Sequence, residues 1–163
     1  MRAKGNFDMK NWYVLAFTSN KFGAVERFLK LNKIEFLCPM HEHSYSRPDK
    51  SFSIRKSLVP TFPGYLFVYL DFNETHPEKL ARFQYIYGLI TFSNAPMAVP
   101  EVTIQVIAYT CSVVKTASSV KKIISHDFAA ILLTEEPKKR SVMLLNYLCE
   151  NHSQSVKEVK YAS

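Results

Sequence analysis

The stretch Pro60-Thr-Phe-Pro-Gly-Tyr-Leu-Phe-Val-Tyr-Leu70 decides the fold. Two prolines and a glycine fix a turn, and the run of aromatic and branched residues after it predicts a strand over residues 65–70. Alternation along a strand puts Tyr65 and Phe67 on one face and Leu66 and Val68 on the other. If both faces are covered within one domain, the two aromatics are core. If one face is open, they form an apolar patch of the kind that binds another protein.

Working toward the N-terminus, the polar residues from His41 to Ser57 hold Arg47, Lys50, Arg55 and Lys56 against Glu42 and Asp49, and read as an exposed hairpin or loop. Ile34 to Cys38 is an apolar run stopped by Pro39, a second strand. Before it, Phe22, Val25, Phe28 and Leu29 recur at helical spacing, with Lys21, Arg27, Lys30 and Lys33 on the remaining surface, so this is an amphipathic helix with a basic outer face. Trp12-Tyr-Val-Leu-Ala-Phe17, ended by Thr18-Ser19-Asn20, is a first strand.

Toward the C-terminus, residues 73–84 read as a helix, with Thr75 as cap and Glu78 completing a capping box. Residues 88–92 read as a short strand. Residues 100–109 read as a helix with Pro100 in its first turn and Val102, Ile104, Val106 and Ile107 as its apolar positions. The order over residues 12–109 is β-α-β-loop-β-α-β-α, an α/β sandwich. From Cys111 to Ser119 the chain turns small and polar, a linker. Beyond it, Val120, Ile123, Ile124, Phe128, Ile131 and Leu132 keep helical spacing, and Glu135 to Arg140, holding Pro137, make a charged turn. Met143, Leu145, Tyr147 and Cys149 alternate with period two, while Val142, Leu145 and Cys149 also satisfy a helical stripe. Periodicity leaves helix and strand both open there. A tail of this size buries too little core to stand alone, so it leans on another surface.

Composition bounds the function. In 163 residues, 21 Lys and Arg face 14 Asp and Glu, a net charge of +7, with 47% hydrophobic and 13% aromatic residues and 4 glycines. That excludes a disordered tail and a large multidomain enzyme. Cys38, Cys111 and Cys149 are too few and too widely spaced for a disulfide framework or a CxxC zinc site, which suits a reducing cytoplasm. Neither a signal peptide nor a membrane span is expected. Cys38, His41 and His43 lie close in sequence but lack a second ligand pair, so no metal site and no cofactor is assigned. A cysteine hydrolase on Cys38 or Cys111 lacks an oxyanion-hole glycine run, and no phosphate-cradling loop, HExxH or GxSxG is present. The expectation is a protein that is not an enzyme. The basic helix and the 41–57 segment agree in sign, which favours nucleic acid.

Trp12-Tyr13 at a strand start, Pro39 after the second strand and, most specifically, Pro60-x-Phe62-Pro63-Gly64-Tyr65-x-Phe67-Val68 resemble the N-terminal domain of NusG-type transcription elongation factors. Phe128-Ala-Ala-Ile, Arg140-Ser-Val-Met-Leu-Leu-Asn146 and Ser155-Val-Lys157 are similar to the C-terminal domain of the specialised RfaH-like branch, and plasmid ActX-type relatives have the same layout. The resemblance covers residues 11–161. It implies a polymerase-binding domain over residues 11–110, a linker over 111–119 and a KOW/RfaH-like domain over 120–163, helical hairpin when closed and able to refold as a small β-barrel.

The implied function is transcription antitermination and elongation in specific operons by a cytoplasmic monomer, autoinhibited by its tail. Its implied partners are the clamp helices of the largest RNA polymerase subunit, the non-template DNA strand and a ribosomal small-subunit protein. Tyr65 and Phe67 match the clamp-contacting aromatics, and His76 the gate-loop contact, with Pro77 and Glu78 replacing threonines beside it. Thr18, Asn32, Arg82 and Gln84 match DNA-binding positions. Thr18 stands for a lysine, and Phe28 and Leu31 stand for His and Arg, with Lys21, Arg27 and Lys30 supplying charge nearby. In the tail, Phe128, Leu132, Met143 and Leu145 match the masking face and Leu148 the ribosomal contact. Val59 replaces a glutamate that pairs with the arginine at the position of Arg140, so closure is expected to rest on apolar burial. The alternative is a general basic RNA- or ribosome-binding module that acts without polymerase.

Overall fold

The computed structural model describes residues 10–49, 53–113 and 126–161. At its centre, β1 (Asn11–Phe17) pairs antiparallel with β5 (Tyr65–Leu70), in a register that sets Trp12 opposite Tyr69, Val14 opposite Phe67 and Ala16 opposite Tyr65. β2 (Glu35–Leu37) flanks β5, β6 (Ile86–Leu89) flanks β1, and the order is β2-β5-β1-β6 with all pairs antiparallel. A short β9 (Ala98–Val99) pairs with Trp12 and Tyr13.

The turn into β5 explains where that strand begins. The Tyr65 amide donates to the Phe62 carbonyl at 3.1 Å, and Gly64 has φ +85°. Proline at the second position and a positive-φ glycine at the third make this a type II turn. The Phe17 amide donates to the Gly64 carbonyl at 2.8 Å, which carries the β1–β5 pairing past the strand end.

Strand alternation divides the interior into two cores. Tyr13, Leu15 and Phe17 of β1 join Leu66, Val68 and Leu70 of β5 under α1 (Phe22–Leu31), through Val25 and Leu29, and α2 (Pro77–Ala81), through Leu80. Trp12, Val14 and Phe67 point to the other face, which is covered by α3 (Glu101–Val113), α4 (His126–Leu133) and α5 (Pro137–Tyr161). The result is an α/β sandwich with helices on both sheet faces. Ile104, Ile107 and Thr110 are buried positions of α3, whereas Val102, assigned to its apolar stripe, is exposed. The Trp12 Nε1–H donates to the Glu101 carboxylate at 2.6 Å, tying α3 to β1.

Several boundaries differ from the sequence reading. The 41–57 segment, read as an exposed hairpin or loop, is a hairpin whose strands reach slightly further, β3 (Met40–Ser46) and β4 (Ile54–Pro60). α2 is shorter than residues 73–84, and its N-cap is His76 rather than Thr75, the Glu78 amide donating to the His76 Nδ1 at 3.3 Å. The strand expected over 88–92 is split between β6 and a second hairpin, β7 (Thr91–Phe92) and β8 (Ala95–Pro96), turned by Ser93 and Asn94 at positive φ. Two successive positive φ angles are the signature of a type I′ turn, which matches strand twist. The last turn of α3 occupies residues 111–113, and residues 114–125, holding Val120, Ile123 and Ile124 of the helical stripe, lie outside the described residues. Residues 137–140 are not a charged turn. Pro137, whose missing N–H costs nothing at a helix start, opens α5, and the break is confined to residues 134–136.

Candidate functional site

The face carrying Tyr65 and Phe67 is not open. Phe67 is only 1% exposed, inside a cluster with Phe128, Ile131, Leu144 and Leu148, while Tyr65 and Tyr69 pack partly buried at its edge. The Phe128 and Tyr147 rings lie 5.7 Å apart. Of the four tail residues assigned to this face, Phe128 is central, Leu132, Met143 and Leu145 are half-buried at the margin, and Leu148, assigned to a ribosomal contact, is buried in the cluster. Leu144, which sequence reasoning missed, is fully buried. Its signal was the i, i+3, i+7 spacing of Ser141, Leu144 and Leu148, all buried, which the alternation of Met143, Leu145 and Tyr147 obscured.

Polar contacts join the tail to the sheet domain as well, so apolar burial is not alone in holding it. Arg140, 7% exposed, donates from Nη1 to the Thr61 carbonyl at 2.9 Å and from Nε and Nη2 to the Thr134 carbonyl at 3.0 and 2.9 Å. The Ser141 hydroxyl donates to the Pro63 carbonyl at 3.3 Å. Val59 sits opposite His41 in the β3–β4 hairpin.

The positions assigned to DNA fall into one neighbourhood for the most part. Phe28 of α1 stacks on Phe83 at 4.4 Å and 13°, bringing the helix against the loop after α2. Lys21 stands 5.4 Å above the Tyr85 ring, a cation–π geometry. The Thr18 hydroxyl donates to the Tyr87 hydroxyl at 3.1 Å. Arg27, Arg82 and Gln84 are exposed and adjoin Phe28, Phe83 and Tyr85 in sequence. Lys30 is exposed but ion-paired with Glu26 at 2.7 Å, and Asn32 is turned inward, its Nδ2 donating to the Phe28 carbonyl at 2.8 Å. Tyr87, 73% exposed, is a further aromatic of this surface that no sequence signal marks. His76 is exposed, and its ring nitrogen is occupied with capping α2.

The other candidates show different chemistry. Burial pushes the Cys38 thiol up to about 12 and the Cys111 thiol up to about 11, which holds both protonated and opposes a nucleophilic role. Among the described residues no group of three or more His, Cys, Asp or Glu is placed to hold a metal ion. Among the described residues no helix is long and apolar enough to cross a membrane.

Known proteins can be set beside this geometry. No curated protein matches the chain. A solved structure described as "Domain interaction in Thermotoga maritima NusG" is similar at 18% sequence identity and a TM-score of 0.44, covering 65% of this chain and 59% of that one. The chain thus spans under two thirds of that relative's length. The family described as "Transcription termination factor nusG" matches residues 10–108, which hold the whole sheet, α1, α2 and most of α3. By that match over more than half of its length, the chain belongs to the NusG family.

Proposed function

We propose that this chain is an RfaH-like antitermination factor of the NusG family. Its units are a polymerase-binding domain (residues 11–110), a linker (111–119) and a C-terminal domain (120–163) that masks the binding face. In this reading Tyr65 and Phe67 dock on the clamp helices of the largest RNA polymerase subunit and His76 touches the opposite side of the cleft. Thr18, Lys21, Arg27, Lys30, Asn32, Arg82 and Gln84 belong to the surface that meets the displaced non-template strand, with Tyr85 and Tyr87 as stacking platforms. A factor that binds the closed clamp better than the open one lowers pausing by that difference in affinity.

The observation that carries the reading is the burial of Phe67 by α4 and α5, because a partner can reach that face only after the two helices leave. Leu148, proposed for a ribosomal contact, is released by the same movement. The dual periodicity of residues 142–149 suits a segment with two folds, helical here and a β-barrel strand after release.

The test is the substitution Leu144→Asp, which places a carboxylate at a fully buried position and expels α5. Full-length protein with this change is expected to bind purified RNA polymerase at least about ten-fold more tightly than the parent, with the β1–β5 amide spectrum retained. Unchanged polymerase affinity with α5 displaced overturns masking. Absence of polymerase binding by both proteins, with RNA bound, favours the ribosome- or RNA-binding alternative.

A further inference from the structure

A groove of ≈ 380 Å³ opens between the end of β1 and the first turns of α5, lined among others by Thr18, Tyr65, Tyr87, Lys138, Ser141 and Val142. Thr18, Tyr65 and Tyr87 belong to the sheet domain, and Lys138 and Val142 to the tail. A break in strand register puts Tyr87 there. Ala16 pairs with Gly88 and Phe17 with Ile86, so Tyr87 is the extra residue of a β-bulge, followed by Gly88 at φ +129°. Bulges re-aim side chains. Ile86 and Leu89, three residues apart, both turn to the α1–α2 core, and Tyr87 is left 73% exposed with its hydroxyl held by Thr18 at 3.1 Å.

On the tail's side, Lys138 is exposed and pairs with no carboxylate among the described residues. The lining of the groove holds no Asp or Glu, and Val142, 57% exposed, gives it an apolar wall. An accessible ring, an apolar wall and an unpaired cation suit a base and its phosphate in a single strand. In a duplex the base faces are stacked on one another, out of a ring's reach. An acidic peptide would use the cation and leave the ring idle.

We propose that this groove seats one nucleotide of a single strand, its base on the Tyr87 ring and its phosphate on Lys138, so that sheet domain and tail grip the strand together. The proposal rests on the single-strand reading of the α1 surface and extends it across the domain boundary. Lys138 adds one phosphate contact to those of the sheet domain. A strand held by both parts binds the protein with α5 in place better than the opened protein, and by reciprocity it opposes departure of α5. Strand and polymerase therefore compete through the tail, because uncovering Phe67 costs the strand its Lys138 contact.

The experiment follows the fluorescence anisotropy of a labelled oligothymidylate, about twelve nucleotides long, with full-length protein. Lys138→Ala is expected to weaken binding about three-fold at about 50 mM salt, with a smaller loss at about 200 mM. Lys139→Ala removes the next cation along α5, which does not line the groove, and is expected to leave affinity unchanged. In the Leu144→Asp protein, with α5 expelled, the strand is expected to bind about three-fold more weakly than to the parent, and Lys138→Ala to add nothing. Equal losses in Lys138→Ala and Lys139→Ala, or an undiminished Lys138→Ala loss in the Leu144→Asp protein, overturns the seat. A poly-glutamate peptide that depends on Lys138 as strongly as the strand does overturns it in favour of an acidic protein segment. A parent that binds no strand at all takes the single-strand reading down with the seat, whereas binding that ignores Lys138 overturns the seat alone.

Discussion

His41 shows how a single residue reports the state of the interface. Burial, then the Arg140 charge, then His43 lower its pKa from the ordinary 6.5, so the folded protein keeps this ring neutral where the unfolded chain begins to bind a proton. The unfolded state then carries more protons in the window just below 6.5, and stability must fall as pH drops through it. Urea midpoints taken between about pH 8 and about pH 5 are expected to decline below this point. His41→Phe, with nothing to protonate, is expected to decline less steeply, and parallel curves for the two proteins would remove His41 as a cause. None of this was legible in the sequence. Cys38, His41 and His43 are near neighbours along the chain, but what shifts His41 is its burial and the distant Arg140, far along the sequence.

At the scale of elements, legibility followed the strength of local punctuation. Tyr65–Leu70 forms a strand with the bounds the sequence predicts because Pro63 and Gly64 leave the chain one way to turn. The sequence places the start of α2 too early because its cap is a histidine, a residue with no strong preference for that position. The β7–β8 hairpin was missed because its positive-φ pair is Ser93-Asn94, with no glycine to announce it. α5 was undecided because half-buried residues flank a narrow buried line, and only packing tells the line from its flanks. The turn offers a direct measurement. A Cβ on Gly64 would sit 3.3 Å from the Phe17 carbonyl oxygen and require an L-residue at φ +85°. Gly64→Ala is therefore expected to cost about 1–2 kcal/mol, read as a lower urea midpoint at unchanged slope. A midpoint equal to that of the parent would mean that the turn does not fix the start of β5.

Over the whole molecule, one sheet serves two cores that do different things. The α1–α2 face is closed by elements between and beside the strands it covers, while the Phe67 face is closed partly by helices from the far end of the chain. The charge divides in the same spirit, with 13 basic against 9 acidic residues up to position 110, a net +4, and 8 against 5 beyond it, a net +3. Neither part has the charge to grip a long duplex, which places the weight of any nucleic-acid contact on a few cations and on stacking. Lys21, above the Tyr85 ring, and Arg27 and Arg82, next in sequence to the stacked Phe28 and Phe83, are exposed cations, whereas Lys30 already has Glu26 as its partner. Three phosphate contacts to a single strand predict a slope of about −2 in a plot of log affinity against log salt. Arg82→Ala is then expected to flatten that slope by about 0.7. Tyr87→Ala is expected to weaken binding by about 1–3 kcal/mol at every salt concentration, with the slope unchanged, because stacking releases no counterions. A slope untouched by Arg82→Ala, or a Tyr87→Ala effect that vanishes at high salt, would remove α1 and the loop after α2 as the proposed single-strand surface.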